Sequence, residues 1–290
     1  MSGHLLCFGF GYSAQALAHQ LGPAWRITGT TRGEPNFSIP ADRQNRPLRF
    51  DRNHPLDPVL FAGVTHVLVS VPPDELGDPV FDSHRDDITA IPNLAWLGYL
   101  STTGVYGDRG GGWVDESSEL QPTGERGARR VAAEMAWLGL CRDRDVPVHV
   151  FRLAGIYGPG RCPFDALRAG TARRIDKPGQ VFSRVHVDDL ATVLRASMAQ
   201  PRPGAVYNVC DDEPASPAEI IAHAAALLGL PRPPLVPFEA AELSPMARSF
   251  YADNKRVSNS LIKQELGVRL RYPSYRDGLP AILAGESAGS

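Results

Sequence analysis

The sequence is short of the features that mark several protein classes. Its 290 residues include four cysteines, at positions 7, 141, 162 and 210, and no two of them form a CxxC pair. We therefore expect no zinc site and no disulfide framework, and a reducing cytoplasm suits the chain. The apolar stretches stay well below the ~18 residues that a membrane span needs, and no basic segment precedes the first strand. We expect neither membrane insertion nor export.

Charge of one predominant sign is also missing. The formal net charge is −2, from 30 basic and 32 acidic residues. This balance gives no electrostatic footprint for nucleic acid or for an anionic membrane, so a small-molecule substrate is the expected partner. The chain is 43% hydrophobic. That is enough for one large α/β core, with or without a small appended lobe.

Short apolar runs alternate with helical patterns through the first half of the chain. The run at 4–11 ends in glycines and is followed by apolar residues at helical spacing over 13–21. Further candidate strands lie at 25–30, 47–50, 64–71, 95–101 and 146–153. Their continuous apolar character is typical of a parallel sheet that is buried on both faces. The pattern predicts an α/β fold, a Rossmann-like doubly wound sheet that binds ligands beyond the carboxyl ends of its strands.

The pattern becomes less regular after about residue 154. Helices are predicted over 187–200 and 216–230, the second with a Ser216 cap and Glu219 three residues later, and the proline-rich 231–238 is expected to break the chain. We therefore divide the chain into a dinucleotide-binding Rossmann core over 1–154 and a second part over 155–290. The second part is expected to interleave late sheet elements with a small C-terminal substrate lobe, and the boundary is approximate.

A glycine turn joins the first strand to the first helix. Gly9, Gly11 and Ala14 match the pattern GxGxxA, with Tyr12 opening the helix. Gly9 would permit the tight turn, Gly11 would let the backbone approach a pyrophosphate, and Ala14 would let helix and strand pack closely. The turn predicts a dinucleotide site. The alternative is an ordinary βα turn that binds nothing.

The end of the second strand bears on the choice of cofactor. It has no acidic residue to bind the ribose diol of NAD and runs instead into Thr31 and Arg32. A guanidinium with nearby hydroxyls suits a 2′-phosphate, so we expect NADP, with NAD as the alternative. Arg32 could also be an ordinary solvated loop residue.

Further motifs follow in order along nearly the whole chain. They are YLSTTGVYGD at 99–108, Asp115-Glu116, RLAGIYGPGR at 152–161, RVHVDDLA at 184–191 and VYNVCDDEP at 206–214. Together with the glycine turn, they make the sequence similar to the extended short-chain dehydrogenase/reductase family, also called the NAD-dependent epimerase/dehydratase family. The resemblance implies a nicotinamide dinucleotide cofactor and dimerisation through helices, and thus a homodimer.

The resemblance also implies roles for single residues. Asp51, after the third strand, would meet the adenine. Thr102, four residues before Tyr106, would be the catalytic hydroxyl, and the segment around Tyr157 would line the nicotinamide side of the pocket. Simpler interpretations stay open: Thr102 as a strand-end hydroxyl, His186 as a structural histidine, and Asp188 and Asp189 as a helix cap.

The acid/base pair of the family is missing. The family has Tyr-x-x-x-Lys eight and four residues before a helical Glu, and counting back from Glu134 gives Arg126 and Arg130. A phenol titrates near ~10 and can be activated by an ammonium, whereas a guanidinium stays charged and exchanges no protons. Arg130 could still bind the nicotinamide ribose, and both arginines could hold anions. A solvated basic helix face is the alternative.

Other departures argue against particular family activities. The acid pair of the dehydratases is absent, since Thr103 and Gly104 follow Thr102. Phe182 stands where some sugar-nucleotide epimerases carry a phosphate-binding Arg. The leading hypothesis is an atypical NADP-preferring oxidoreductase or epimerase for a small hydroxyl or carbonyl substrate, which could be anionic. Its proton could come from water, Tyr106 or Tyr157, although both tyrosines could simply pack. A non-catalytic dinucleotide-binding redox sensor is the alternative.

Overall fold

The computed structural model describes residues 2–33 and 47–288. Its strands are β1 (Gly3–Phe8), β2 (Trp25–Thr31), β3 (Leu48–Arg49), β4 (His66–Val69), β5 (Trp96–Thr102), β6 (Trp113–Val114), β7 (Val148–Leu153), β8 (Gly155–Tyr157), β9 (Arg174–Asp176), β10 (Arg184–His186), β11 (Val206–Val209), β12 (Leu235–Pro237) and β13 (Arg256–Val257).

The α-helices alternate with these strands in the first half of the chain and cluster in the second. They are α1 (Tyr12–Leu21), α2 (Pro79–Thr89), α3 (Glu125–Arg144), α4 (Phe164–Arg168), α5 (Val187–Ala199), α6 (Pro217–Leu227), α7 (Pro245–Phe250), α8 (Ser260–Leu266) and α9 (Tyr275–Ala288). The capping box predicted for Ser216 and Glu219 is confirmed at the start of α6. No helix within 2–33 or 47–288 is long and apolar enough to cross a bilayer.

A seven-stranded sheet forms the centre of the molecule. Its strand order is β11-β7-β5-β4-β1-β2-β3, and every pair in it is parallel. The order runs outward in both directions from β1 and β4, so the topology reverses beside the glycine turn. Ligands of such sheets bind where the order reverses. The predicted Rossmann-like α/β class is confirmed.

Both faces of this sheet are covered by helices. Alternate residues of β1 enter different cores: Leu5 and Cys7 lie in the core shared with α1, α5 and α8, whereas Leu6 and Phe8 lie in the core shared with α2 and α3. Successive side chains of a strand point to opposite faces, so a strand buried on both sides is apolar at every position. This burial explains the continuous apolar runs in the sequence.

Residues beyond 154 contribute to the sheet and also build the region next to it. Strand β11 extends the large sheet, while the pairs β8–β10, β9–β12 and β6–β13 form small parallel ladders. The expectation that 231–238 only breaks the chain is wrong, because β12 lies within it. Proline carbonyls can still accept hydrogen bonds, and Arg174 N–H donates to Pro234 O at 3.1 Å. The boundary at 154 stays a prediction.

Candidate functional site

The glycine turn lies at the carboxyl end of β1, at the centre of the sheet. Gly9 has a φ of +86°, and a Cβ there would lie 2.6 Å from Ser70 Oγ. Its N–H donates to Thr30 Oγ1 at 2.9 Å, which fixes the turn against β2. Only glycine fits this position, for conformational and steric reasons together.

Gly11 meets a different requirement. It has a φ of −89°, so its backbone conformation is open to any residue, and a Cβ added there would meet no atom of residues 2–33 or 47–288 within 4 Å. It is the N-cap of α1, and no side chain caps the helix. The first N–H groups of α1 therefore lack a side-chain cap, and such groups are suited to bind a pyrophosphate. Ala14 is buried beneath them in the core, so it allows the close packing that the sequence predicts.

Three further positions assigned to the cofactor lie at the β2–β3 edge. Thr31 is half-buried and its carbonyl accepts from Phe50 N–H at 2.9 Å, whereas Arg32 is exposed. Asp51 Oδ1 accepts from His54 Nδ1 at 2.7 Å and from Asn53 N–H at 2.9 Å. The hydrogen bond from His54 lowers the pKa of Asp51. The edge thus offers the exposed Arg32 and the Asp51 carboxylate, which also pairs with Arg49 Nε at 3.3 Å.

Thr102 is the last residue of β5, and its side chain is half-buried. Its Oγ1 accepts from Gly104 N–H at 3.1 Å as it caps the 3₁₀ turn Thr103–Tyr106. Because an acceptor role leaves the hydroxyl proton unused, Thr102 can still donate to a substrate oxygen. Both interpretations of this residue therefore hold together: it is a strand-end cap, and it is available as a donor.

The side chains of Arg130 and Arg126 diverge, although both lie on α3. Arg130 turns inward, where Nη1 donates to Leu100 O at 2.5 Å and to Tyr99 Oη at 3.2 Å. Its guanidinium is thus fixed against β5 two residues before Thr102. Arg126, one turn earlier, is exposed, with its guanidinium carbon 5.9 Å from the ring centre of Phe250. The solvated-face interpretation is therefore wrong for Arg130, because buried acceptors on β5 hold it.

The two candidate tyrosines are buried with their hydroxyls engaged. Tyr106 Oη donates to Asn208 Oδ1 at 2.7 Å, and burial raises the pKa of Tyr106 to about 12. Tyr157 Oη donates to Ser274 O at 3.2 Å, and burial raises its pKa as well. These contacts favour packing roles. The catalytic assignment of Tyr157 stays a prediction that no described contact with Thr102 supports.

A buried ion pair that the sequence did not reveal holds α3 on the sheet. Arg152 Nη2 of β7 lies 2.8 Å from Glu134 Oε2 of α3, and Glu134 also accepts from the Ser101 hydroxyl. Arg152 Nη1 donates to Tyr106 Oη at 2.9 Å. One signal was available: an arginine inside an apolar strand must find a buried acid. The pair positions the helix that carries Arg126 and Arg130.

One expectation about α5 is corrected. Asp188 and Asp189 do not cap this helix, because it begins at Val187 and both residues lie inside its first turn. The cap is His186, whose Nδ1 accepts from Asp188 N–H at 3.2 Å. Asp189 instead accepts from the N–H groups of Arg271 and Tyr272, at 2.7 and 2.9 Å. The structural interpretation of His186 is therefore favoured.

Asp211, just after β11, is 2% exposed. Burial raises its pKa to about 8, and Arg184 nearby only partly offsets this effect. Between pH 4 and 8 the folded chain then binds more protons at this carboxyl than the unfolded chain, so folding stability should fall as pH rises through this range. We expect Asp211→Asn to weaken this dependence, as measured by thermal midpoints from pH 5 to 9. Parallel curves for the two proteins would contradict the assignment.

The sequence and the structure were compared with those of known proteins. No protein-family model matches the chain. A functionally unknown conserved protein from Silicibacter pomeroyi DSS is 55% identical, covers 98% of this chain and 99% of its own, and superposes with a TM-score of 0.91. The two chains belong to one family.

More distant structures define the fold. The dTDP-glucose 4,6-dehydratase of Bacillus anthracis, solved in complex with NAD, covers 99% of this chain and 97% of its own with a TM-score of 0.78. This chain has the fold of the NAD-dependent epimerase/dehydratase family. At 18% identity, the likeness shows the fold alone.

Two curated relatives match part of the chain. Protein YeeZ of Escherichia coli K12 is 31% identical over 181 residues, which cover 60% of this chain and 58% of that protein. The 3-diazoavenalumate denitrifying reductase of a Streptomyces species is 31% identical over 153 residues, which cover 48% of each chain. The matches thus span about half to three fifths of the length of these relatives.

Proposed function

We propose that the chain is an NAD(P)-dependent oxidoreductase that acts on a small hydroxyl or carbonyl substrate. The observation that carries this proposal is the uncapped start of α1, with open space in front of Gly11. Support comes from the reductase among the relatives and from the NAD bound in a structure of the same fold. The lost Tyr-Lys pair would make this an atypical member of the extended family.

We assign the following binding and catalytic roles to residues of the chain. The N–H groups of α1 bind the pyrophosphate, Asp51 meets the adenine, and Arg130, fixed on β5, contacts the nicotinamide ribose. The bound nicotinamide supplies or accepts a hydride. Thr102 donates a hydrogen bond to the substrate oxygen, which orients the substrate and stabilises developing negative charge.

The groups available for proton transfer favour reduction over oxidation. Oxidation of an alcohol, and epimerisation that begins with one, requires a base for the hydroxyl proton, and neither Arg126 nor Arg130 can serve as one. Reduction of a carbonyl needs a proton donor instead, and water can fill that role. We therefore favour reduction with a solvent-derived proton, with the epimerase assignment in second place.

The direct test measures NADPH oxidation by the full chain with a panel of aldehydes, ketones and sugars. We expect turnover with at least one carbonyl compound, and a loss of at least about tenfold in kcat for Thr102→Val. Thr103→Val, next to it, serves as the control. Equal rates for Thr102→Val and the unmodified chain would contradict the assigned role.

A second candidate is a non-catalytic redox sensor that reports nicotinamide state to a protein partner. The observation that favours it is that Arg126 replaces the proton-transferring Tyr. Nucleotide binding without turnover across the panel, together with a change in proteolytic protection between NADPH and NADP⁺, would select it over the enzyme.

Cofactor choice gives a separate prediction at Arg32. Its guanidinium is exposed beyond Thr31, so it is free to bind a 2′-phosphate. We expect Arg32→Ala to weaken NADPH binding by about 1.5–3 kcal/mol, the range for hydrogen bonds to a charged group, and to leave NADH binding nearly unchanged. Calorimetric titration with both nucleotides measures the difference. Equal losses for the two nucleotides would show that Arg32 does not read the 2′-phosphate.

Homodimerisation and a cytoplasmic location remain proposals. Met135, on the outer side of α3, is exposed, as an apolar contact between copies of this helix would require. Light scattering during size-exclusion chromatography would show the oligomeric state.

A further inference from the structure

Arg126 differs from the neighbouring arginines of α3 in having no polar partner among the described residues. Arg129 Nη2 donates to Glu125 Oε2 at 2.9 Å, and Arg130 is held by Leu100 O at 2.5 Å. The described contact of Arg126 is with the ring of Phe250. Its guanidinium therefore keeps its fork of donors available for an anion.

Phe250, at the end of α7, is an unusual surface residue. Its side chain is 56% exposed, whereas the next residue, Tyr251, is buried. The Tyr251 ring packs at 5.4 Å from Phe182 and at 5.1 Å from Phe238, measured between ring centres. An anchored aromatic cluster thus fixes the backbone of Phe250 and presents its ring outward. A large aromatic ring held in this way is a suitable stacking surface.

The Arg126–Phe250 pair lies beside the proposed reaction site. The first turn of α3 packs on the 3₁₀ turn that follows Thr102, where a Cβ added at Gly127 would lie 3.1 Å from Gly104 O. Just before α3, Thr123 Oγ1 donates to Asp253 Oδ1 at 2.5 Å, which ties this end of the helix to the segment that follows Phe250. These two contacts bring the start of α3 and the segment after Phe250 to the same end of the sheet as Thr102.

We propose that Arg126 and Phe250 bind the distal end of the substrate, and that this end is an aromatic carboxylate. The guanidinium would take the carboxylate through its paired N–H donors, while the arene stacks on the exposed Phe250 ring. Among the described residues, Arg129 is paired with Glu125 and Arg130 is held by Leu100 O, so Arg126 offers one guanidinium fork, which matches a monoanionic carboxylate better than a dianionic phosphate. This inference rests on the proposed function, since it names the substrate class of the same site.

The test uses three probes of similar size, titrated into the full chain with and without saturating NADPH. They are 3-phenylpropanoate, its neutral amide 3-phenylpropanamide, and the saturated aliphatic acid 3-cyclohexylpropanoate. We expect 3-phenylpropanoate to bind about tenfold more tightly than either of the others, because it alone satisfies both side chains. Saturation-transfer NMR or calorimetry reports the three affinities.

Matched variants assign the selectivity to each residue. Arg126→Ala should abolish the preference for the acid over the amide, and Phe250→Leu should abolish the preference for the aromatic over the aliphatic acid. Arg129→Ala, on the same helix but already paired, should change neither preference. Thermal midpoints and NADPH affinity, measured for every variant, show that the fold and the cofactor site are intact.

The outcomes separate this inference from the proposed function. Equal affinities for the three probes, no binding of any, or unchanged selectivity in Arg126→Ala would overturn the substrate class while leaving cofactor binding in place. Failure of the unmodified chain to bind any nicotinamide nucleotide would overturn the proposed function. The titrations without NADPH would then still decide the carboxylate comparison.

Discussion

Gly11→Val should lose more than about 100-fold in nicotinamide nucleotide affinity while the chain keeps its fold. A side chain at position 11 would fill the space in front of the first N–H groups of α1, so at least two charge-assisted hydrogen bonds to the pyrophosphate would be lost. The fold should tolerate the change because Gly11 has a negative φ and a new Cβ would meet no atom within 4 Å in the part of the chain that the structure describes. Calorimetry with NADPH and NADH, and a thermal melt, measure the two quantities.

Two other glycines provide the controls. Gly285, in α9, also has open space at its Cβ position, so Gly285→Val should change nucleotide affinity little. Gly9→Ala should instead destabilise the fold, since Gly9 has a φ of +86° and its Cβ would collide with Ser70 Oγ. Unchanged nucleotide affinity in Gly11→Val would remove the dinucleotide site from this turn.

The large sheet could be predicted because each of its long strands is a short apolar run in the sequence, and such runs recur along the chain. The long buried strands are predominantly apolar, and the glycine turn marks where the first strand ends, so β1 to β5 and β7 could be found from composition and spacing alone. The short strands β6, β9 and β13 could not. Each has two or three residues, and their pairing depends on distant segments that meet only after the large sheet has formed.

The candidate site was predictable in its membership but not in its geometry. Counting from Glu134 placed Arg126 and Arg130 on one helix, but sequence spacing could not show that Arg130 turns inward to Leu100 O while Arg126 meets Phe250. The partner of each guanidinium is at least thirty residues away, beyond any local pattern. Phe250 lies in no recognisable motif. The sequence alone could not show that its side chain is exposed while that of the next residue, Tyr251, is buried.

Arg152→Met should destabilise the chain by about 3–5 kcal/mol, because it leaves Glu134 as an uncompensated buried carboxylate. Arg152 and Glu134 are 5% and 1% exposed, and Nη2 and Oε2 lie 2.8 Å apart. A loss of this size should lower the thermal midpoint by about 10 °C. Denaturant titration measures the free energy of unfolding directly.

A charge-removing variant at Arg129 on α3 gives the scale for this effect. Arg129 pairs with Glu125 at the surface, so Arg129→Met should cost no more than about 1 kcal/mol. Adding Glu134→Leu to Arg152→Met removes the buried charge and should restore part of the lost stability. If Arg152→Met alone is as stable as Arg129→Met, then the buried pair does not hold α3 on the sheet.

If the pair does hold α3, Arg152→Met should also weaken NADPH binding, because the anchored position of Arg130 depends on that of α3.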